Sequence, residues 1–390
     1  MIATDACLKC SLCVTACPVY QEEPLFPGPK ALGPEWYRAY QAGNLEAMAH
    51  VDDCTFCQLC EAACPAEVPV AHLIAEHKTH KKKDWAQGFR DTLFSHPHWL
   101  NRLPISKPPG LARSVLHMSS RSEYPKRYKP NKSLRSLSTP MPPLQEKQGD
   151  VYLFVDCYSR SYDQEGLAAA HFLLELWGYT VHEVPKESSC CGAAAYASGY
   201  PDAAKKIATE SSERLLRAGA DKGILVTLNA TCDGTLRKEW PLYFELQWPG
   251  TILSFDRFAR EMAPSSFWQV IGEKTGSPLY THTTCRGKAA GEDNGIAKLV
   301  KKAGGVAQPL RIDCCGAAGS YAFKGEHEEV AHRLGERAKQ DITEPGGNLL
   351  VDSGTCALHL QQITGARAMH PATWLRERYE SRLKEEVYAK

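Results

Sequence analysis

The residues of this chain best suited to chemistry are its cysteines, which number sixteen in 390 residues. Two segments place adjacent cysteines before a glycine, Cys190-Cys191-Gly192 and Cys314-Cys315-Gly316. In a reducing compartment, clustered cysteines are more often metal ligands or redox groups than structural disulfides. We therefore interpret the cysteines of this chain as metal ligands.

The expected compartment follows from what the sequence lacks. The N-terminal residues M-I-A-T-D-A-C have neither the basic region nor the apolar region of a secretion signal. The sequence contains no run of about 18 apolar residues, so it predicts no membrane-spanning helix. We expect a cytoplasmic protein, in which these thiols stay reduced.

Two N-terminal runs share one cysteine spacing. Each has three cysteines at two-residue gaps and a fourth after three more residues, followed by proline: Cys7, Cys10, Cys13 and Cys17, then Cys54, Cys57, Cys60 and Cys64. In bacterial ferredoxins, the three close thiolates bind one [4Fe–4S] cluster and the fourth binds the other. Three close thiolates can surround three corners of a cube, whereas zinc, the alternative, takes its ligands in pairs. We predict one cluster on Cys7, Cys10, Cys13 and Cys64, and a second on Cys54, Cys57, Cys60 and Cys17.

The interval between the two runs indicates additional helical structure. Thirty-six residues separate Cys17 from Cys54, which is more than a compact two-cluster ferredoxin needs. Residues 34–43 and 44–50 both have helical patterns, with Gly43-Asn44 as a stop and restart. We therefore predict a helical ferredoxin domain over residues 1–80 that relays single electrons.

The C-terminal part of the chain reads as a duplication. Forty residues separate Cys191 from Cys232, and forty separate Cys315 from Cys356. Internal repeats of this kind decide the architecture of a chain. We predict a first module over residues 151–270 with Cys157, Cys190, Cys191 and Cys232, and a second over residues 271–390 with Cys285, Cys314, Cys315 and Cys356.

The elements of each module predict where its cysteines lie. Short β-branched runs such as V-Y-L-F-V-D precede the cysteines, and helical segments that end at Gly178 and Gly219 lie between these runs. This βαβαβ order implies a parallel sheet, in which ligands gather beyond the carboxyl ends of the strands. Four thiols should converge there in each copy, with Gly192 or Gly316 allowing close approach of a bulky cofactor. The predicted class is α+β multidomain, and each module could hold a cubane cluster, an altered cluster or zinc.

A basic, proline-rich segment over residues 81–150 joins the two halves. From Lys78 to Arg135 there are fourteen Lys and Arg against three acidic residues. Aromatic and apolar residues interleave with the basic ones, which is typical of a segment at a membrane surface. The residues assigned to this peripheral contact are Phe94, Trp99, Leu100 and Leu103. A solvated linker or a docking face for an acidic subunit are alternatives, and no nucleic-acid recognition motif is present.

Two histidines and two tyrosines accompany the double-cysteine segments. His282 and His359 each lie three residues from a cysteine and could bind metal, contact sulfur or carry protons to a quinone. Local packing or helix capping is the ordinary role of such histidines. Tyr196 and Tyr321 follow the double cysteines and are expected in the core.

The two ferredoxin runs followed by two C-C-G modules resemble a family of iron–sulfur subunits. This family contains the B and D subunits of heterodisulfide reductase, the iron–sulfur subunits of glycolate and lactate oxidases, and the C subunits of anaerobic glycerol-3-phosphate dehydrogenases. The segments F-P-G-P-K-A-L-G-P-E and C-C-G-A-A-G-S-Y-A-F-K are most similar to those of the glycerol-3-phosphate dehydrogenases.

The resemblance implies a non-flavin subunit of a quinone-dependent oxidoreductase. Such a subunit passes electrons from a flavoprotein dehydrogenase, here for glycerol 3-phosphate, to menaquinone at the inner face of the cell membrane. Service to a glycolate or lactate oxidase, or to a fumarate, succinate or heterodisulfide reductase, is the alternative within the class. A zinc-stabilised assembly scaffold is the alternative outside it.

The sequence departs from the fullest family pattern in both modules. That pattern ends each module in C-x-x-C, and the resulting five thiolates hold a non-cubane cluster that reduces disulfides in heterodisulfide reductase. Here Asn229 and Ser353 occupy the position of the extra cysteine. This departure argues against disulfide reduction.

Overall fold

The computed structural model describes residues 6–44, 46–95, 110–122, 141–272, 278–344 and 346–388. These residues form an N-terminal helical domain and two α/β modules, each with a four-stranded parallel sheet. This confirms the predicted α+β architecture. No helix in the described part of the chain is both long and apolar enough to cross a bilayer.

The N-terminal domain consists of short helices joined by the loops that carry its cysteines. The helices are α1 (Leu12–Thr15), α2 (Pro18–Glu22), α3 (Trp36–Gln41), α4 (Leu59–Ala62) and α5 (Val70–Thr79), with a π-helical turn over Ala31–Glu35 and a 3-10 turn over Val51–Asp53. Pro18 is the first residue of α2, where a helix needs no amide donor. The fully buried side chains of Leu32 and Leu73 belong to one core.

The helix predicted over residues 44–50 is wrong, because residues 46–50 are irregular. The Asn44 side chain accepts a hydrogen bond of 3.1 Å from the amide of Glu46. The carbonyl of Glu46 accepts another of 3.1 Å from the Trp36 indole. Asparagine side chains that bond the nearby backbone favour turns over helices, so local and tertiary partners replace helical hydrogen bonds here.

The described residues of the segment predicted as a linker include two helices, α6 (Trp85–Ser95) and α7 (Gly110–Val115). Helix α6 is held against the second module, because the guanidinium of Arg90 pairs with Glu326 at 2.6 Å. The Arg90 side chain is almost completely buried. This part of the basic segment is therefore packed structure rather than a solvated linker.

The first module is built on a parallel sheet with strand order β2-β1-β3-β4. Its elements are β1 (Gly149–Asp156), α8 (Cys157–Tyr162), α9 (Gln164–Leu176), β2 (Tyr179–Ser189), α10 (Ala193–Ala197), α11 (Pro201–Arg217), β3 (Ile224–Thr227), α12 (Ala230–Gly234), α13 (Trp240–Tyr243), β4 (Thr251–Ser254), α14 (Phe255–Met262) and α15 (Ser265–Ile271). Val151 on β1 pairs with Val181 on one side and Ile224 on the other. Six consecutive residues of β1 are buried, as expected for a parallel strand covered on both faces.

The second module repeats this topology with strand order β6-β5-β7-β8. Its elements are β5 (Leu279–His282), α16 (Cys285–Ala289), α17 (Gly295–Lys302), β6 (Ala307–Pro309), α18 (Glu328–Glu336), β7 (Asn348–Val351), α19 (Gly354–Thr364), β8 (Arg367–Met369) and α20 (Pro371–Tyr388). Three strands per copy agree with the sequence prediction. The fourth, β4 or β8, was not predicted, because it is a short and incompletely buried edge strand without a continuous apolar run.

The two modules share a core, and the carboxyl ends of their sheets meet. Trp177 and Phe258 of the first module lie in one buried cluster with Leu350 of the second. At the seam, the amide of Ala230 donates to the carbonyl of Asp352 at 2.9 Å. Since these residues follow β3 and β7, this bond brings the two cysteine-bearing edges together.

The ferredoxin domain contacts both modules. The ammonium group of Lys78 donates to the carbonyl of Ala197 in the first module at 2.9 Å. The Tyr321 hydroxyl of the second module donates to the carbonyl of Asp53 at 3.0 Å. The three units therefore surround a common interior.

Candidate metal centres and the cavity between them

The first ferredoxin set converges on one small cavity. Its members line a space of about 20 Å³: Cys7, Cys10, Cys13 and Cys64. Lys9 and Ser11 adopt left-handed conformations, with φ of 58° and 66°, which curl the loop between the cysteines. Burial raises the pKa of Cys13, and the nearby thiols of Cys7, Cys64 and Cys10 raise it further. The four thiols line one cavity, and the ligand assignment stays a prediction.

The second ferredoxin set repeats this loop geometry in a more buried position. Phe56 and Gln58 have φ of 55° and 65° and stand where Lys9 and Ser11 stand in the first run. Burial raises the pKa of Cys17 to about 12, and the neighbouring thiols of Cys54 and Cys314 contribute. Metal binding must displace such protons, so loading of this site should release them.

The first module brings its four cysteines into a row. The thiols lie within hydrogen-bonding reach of one another in the order Cys157, Cys190, Cys191 and Cys232. The Asp156 carboxylate fixes the start of the row, because its Oδ1 accepts from the amides of Tyr158 and Ser159 at 3.1 Å and caps α8. All four cysteines lie beyond the carboxyl ends of strands.

The second module has the same row, in the order Cys285, Cys314, Cys315 and Cys356. The amide of Gly316 donates to Sγ of Cys314 at 3.4 Å, and the amide of Ala317 donates to Sγ of Cys315 at 3.5 Å. Hydrogen bonds from Cys285 and Cys315 lower the pKa of Cys314.

The second ferredoxin set adjoins the row of the second module. Cys57 packs with Cys285 and Cys314 in one buried cluster. Besides burial, the charge of Cys314 raises the pKa of Cys57. Among the described residues, no group of three or more histidine, cysteine, aspartate or glutamate side chains has the compact spacing of a single-ion site. The ligand assignments therefore depend on the cysteine pattern and on the packing of Cys57 with Cys285 and Cys314.

A cavity of about 160 Å³ is lined by all four thiols of the first row, by Cys285 and Cys356 of the second row, and by Cys57 of the ferredoxin domain. Its walls also include five aromatic residues: Phe56, Phe94, Tyr158, Tyr162 and Phe323. Arg286 also lines this cavity, although its side chain is almost completely buried. No pattern along the chain indicated that one cavity joins the two rows.

The predicted membrane contact falls on differently placed residues. Phe94 lines the cavity, with its ring centroid 6.2 Å from that of Phe323, so it is not a surface anchor. Trp99, Leu100 and Leu103 lie outside the described residues. The exposed aromatic residues of α6 are instead Trp85 and Phe89.

The accompanying histidines and tyrosines have distinct roles. His359 Nε2 bonds the carbonyl of Ala331 at 3.0 Å, which is the expected packing role. Burial lowers the pKa of His282 to about 4, and neither ring nitrogen has a partner among the residues described. Tyr196 and Tyr321 are buried as predicted, and each also bonds the ferredoxin domain, Tyr196 through His72.

Asn229 and Ser353 stand where the fifth cysteines would be. In the described structure, neither side chain forms a hydrogen bond with a thiol of the two rows. Asn229 Oδ1 accepts from the amide of Thr231 at 3.0 Å and caps α12. Ser353 Oγ is buried without a partner in the part of the chain that the structure describes. The departure from the five-cysteine pattern therefore leaves four thiols per module.

A buried polar junction that the sequence did not predict connects all three units. Nη2 of Arg286 pairs with Glu239 Oε2 at 2.6 Å. The other oxygen of Glu239 accepts from the side-chain amide of Gln58, the residue after Cys57. The one signal of this junction in the sequence was an arginine, Arg286, directly after the candidate ligand Cys285. Its partner Glu239 lies in the other module.

Gly192 and Gly316 are required because of their own backbone conformation and the closeness of a neighbouring backbone segment. Gly192 and Gly316 have φ of 93° and 85°, in the left-handed region. A Cβ on Gly192 would lie 2.8 Å from the carbonyl of Ala204, and one on Gly316 would clash with the carbonyl of Ala331. The close approach is thus to a neighbouring helix, in contrast to the approach to a cofactor that we expected.

We expect Gly316→Ala to destabilise the protein by about 2 kcal/mol or more, since left-handed strain and a backbone clash add. Gly365→Ala is the matched control, because Gly365 has φ of 74° but open space around the added Cβ. That control should lose only about 1 kcal/mol. Denaturant titration measures both, and equal losses would show that the contact with Ala331 is unimportant.

Two sequence families match the chain. A 4Fe-4S dicluster domain covers residues 3–68, and a cysteine-rich domain covers residues 151–237 and again 279–361. Together with the cysteine geometry, these matches define an iron–sulfur protein with a ferredoxin domain and a duplicated cysteine-rich domain.

Curated relatives narrow this class. The chain is 28% identical to the C subunit of anaerobic glycerol-3-phosphate dehydrogenase of Escherichia coli K12, over 95% of this chain and 97% of that protein. It is 30% identical to lactate utilization protein A of Geobacillus thermodenitrificans, over 58% of this chain and 99% of that protein. It is 25% identical to the D subunit of a heterodisulfide reductase of Methanosarcina barkeri, over 57% of this chain and 55% of that protein. The chain belongs to this family of cysteine-rich-domain iron–sulfur subunits.

Proposed function

We propose that this chain is the electron-transfer subunit of a glycerol-3-phosphate dehydrogenase complex and delivers electrons from a flavoprotein to menaquinone. The substrate comes from the similarity to the C subunit of the Escherichia coli glycerol-3-phosphate dehydrogenase, which extends over nearly the whole chain. The observation that carries the electron path is the contact of Cys57 with Cys285 and Cys314. This contact supports a path in which the second ferredoxin set passes electrons to the second module.

The proposed order of metal sites suits the chemistry of the flavin donor and of the quinone acceptor. A flavin releases two electrons and a quinone accepts two, with two protons taken from water, whereas each iron–sulfur cluster carries one electron at a time. We assign [4Fe–4S] clusters to the two ferredoxin sets and one or two further metal sites to the modules. The subunit then divides a two-electron transfer into single steps.

Electrons would enter at the first ferredoxin set. Cys10 is exposed, and the side chains of Leu8 and Leu12 on either side of it are exposed as well. An exposed apolar surface beside a candidate cluster suits the docking of a partner protein. We place the flavoprotein subunit here.

Electrons would leave at the membrane. Trp85 and Phe89 are exposed on one face of α6, within the basic segment. Exposed aromatic residues beside basic groups suit a peripheral contact with anionic lipid. We propose association with the inner face of the cell membrane through this helix, and we assign no role in nucleic-acid binding.

A lactate or glycolate flavoprotein is the second candidate partner. The similarity to lactate utilization protein A favours it, since the chain covers almost all of that protein. Disulfide reduction is disfavoured, because both modules have only four thiols where the non-cubane cluster takes five.

The proposal is tested by electron paramagnetic resonance on the native complex, isolated without oxygen. Glycerol 3-phosphate should produce signals of reduced clusters, and a menaquinone analogue should remove them. Clusters that respond to lactate or glycolate but ignore glycerol 3-phosphate would move the assignment to the second candidate. Complexes without iron, or with clusters that no donor reduces, would contradict electron transfer altogether.

A further inference from the structure

Arg286 offers two unused hydrogen-bond donors at the cavity between the thiol rows. Its Nη2 is engaged, at 2.6 Å from Glu239 and 3.2 Å from Oγ1 of Thr235. Its Nε and Nη1 have no partner among the described residues, although the side chain is only 7% exposed. Buried donors are nearly always paired in native proteins, so this guanidinium is prepared for a partner outside the chain.

The charge of Arg286 indicates what kind of partner fits. Glu239 already neutralises the guanidinium, and Glu239 is itself held by Gln58. An anion would find no excess positive charge at this point, whereas a neutral carbonyl oxygen can accept from the two remaining N–H groups. The site therefore favours a neutral acceptor over a carboxylate or phosphate.

The cavity walls indicate the shape of the partner. Phe56, Phe94 and Phe323 line the cavity and present ring surface. Apolar, aromatic walls with few polar groups are typical of sites for flat organic ligands. A planar ring that carries carbonyl groups meets both requirements.

The duplication makes the polar groups of this site informative. The residue after the first cysteine of each row is Tyr158 in the first module and Arg286 in the second. On the first module, the buried Asp156 also lines the cavity, and its Oδ2 has no partner in the described residues. The first module thus presents an acceptor, Asp156, and the second module presents a donor, Arg286. This difference would orient a ligand with one particular end toward Arg286.

We propose that this cavity binds the quinone headgroup and that Arg286 positions it by donating to one carbonyl. This inference rests on the proposed function, because it locates the acceptor of that electron path. The position is chemically suitable, since Cys57, the four thiols of the first row, and Cys285 and Cys356 of the second row line the same cavity. Electrons would then reach the quinone directly from the metal sites.

The competing role for Arg286 is a contact with a metal cluster. Its free N–H groups could donate to the sulfur of a cluster on Cys285 and so tune its reduction potential. That role predicts altered potentials and paramagnetic signals in Arg286 variants, with an unchanged affinity for quinone. The two roles are therefore separable by experiment.

The test uses the anaerobic native complex with a water-soluble naphthoquinone as acceptor. Arg286→Gln should raise the KM for the naphthoquinone on the order of tenfold, in keeping with the loss of a charge-assisted hydrogen bond. Signals of reduced clusters should accumulate in this variant during turnover. Arg286→Lys, which keeps one donor, should restore part of the affinity.

Two further variants keep the test decisive. Arg378→Lys is the matched control, because Arg378 is a buried arginine bonded to the carbonyls of Ile271 and Ala303, and it does not line this cavity. Its KM should equal that of the native complex. Ala194→Phe, at another residue of the cavity wall, should exclude the naphthoquinone by filling the cavity.

Equilibrium binding of a redox-inert, carbonyl-bearing naphthalene analogue of the quinone to the oxidised complex separates this inference from the proposed function. Binding that Arg286→Gln and Ala194→Phe weaken supports the site, even where no donor reduces the clusters and the proposed function fails. Unchanged binding and KM in both variants, or altered cluster potentials with unchanged KM, would overturn it.

Discussion

The double substitution Cys314→Ser and Cys315→Ser is expected to empty the metal site of the second module and to stop electron delivery to quinone. Both side chains are almost completely buried in the row that starts at Cys285. A serine hydroxyl does not ionise at neutral pH and is a poor ligand for metals that select thiolates. Iron should fall by about four atoms per chain where the site holds a [4Fe–4S] cluster.

The double substitution should affect the metal site of the second module and leave the ferredoxin clusters intact. The ferredoxin cysteines are untouched, so glycerol 3-phosphate should still produce the signals of their clusters. Because Cys314 adjoins Cys57, the path is broken directly after the second ferredoxin set. Activity from donor to quinone should therefore fall to the level measured without this subunit.

Ser353→Ala is the matched control for this experiment. Ser353 is buried three residues before Cys356, and its hydroxyl has no hydrogen-bond partner in the described structure, so the loss of this hydroxyl should leave metal content unchanged. The corresponding Cys190→Ser and Cys191→Ser variant reports on the first module. Metal analysis and paramagnetic signals that match the native protein in both double variants would show that the paired cysteines are not ligands.

The second large effect is expected at Asp91, which balances three buried cations. Its carboxylate lies 3.0 Å from Lys83, 3.1 Å from Arg90 and 3.0 Å from Lys324. Lys83 lies just before α6, Arg90 lies on α6 beside Asp91, and Lys324 belongs to the second module. Removing one member of a buried ionic network leaves uncompensated charge, so Asp91→Asn should lower the free energy of unfolding by about 3–5 kcal/mol.

Stability in acid gives an independent check on Asp91. Burial alone would raise its pKa, but Lys324, Lys83 and Arg90 together lower the pKa to about 2. The folded-state pKa lies below the value of 3.8 for an isolated aspartate, so its contribution is complete above about pH 4 and is lost as the pH falls toward 2. The difference between native and variant protein should shrink over that interval.

The alkaline side has a related expectation. Burial lowers the pKa of Lys324 to about 8, against the opposing effect of Asp91. Without Asp91 this lysine should release its proton at lower pH, so the variant recovers stability as the pH rises toward 8. Denaturant titrations between about pH 3 and pH 8 follow both trends.

Glu377→Gln is the control for these titrations. Glu377 pairs with Arg367 at 2.6 Å, but both side chains are about half exposed. Exposed pairs contribute only about 0–1 kcal/mol. A loss at Asp91 no larger than this control would mean that the network does not hold α6 against the second module.

Much of the architecture could be read from local sequence patterns. The cysteine spacing of the ferredoxin runs and the equal gaps after Cys191 and Cys315 predicted the domain order and the duplication. The strands before Cys157 and Cys285 were visible because buried parallel strands need continuous apolar runs. The irregular segment after Asn44 and the edge strands β4 and β8 were missed, because their backbone is fixed by neighbours rather than by their own residues.

The sequence by itself determined which groups can bind metal, since ligand chemistry and spacing are properties of the residues and their local loops. Only the tertiary structure decided the contact of Cys57 with the second module, the shared cavity and the placement of Arg286 at its wall. Those features depend on contacts between distant parts of the chain, such as Tyr321 with Asp53, 268 positions apart. Such contacts form when buried surfaces of three units pack together, and no periodicity along the chain encodes which residues will meet.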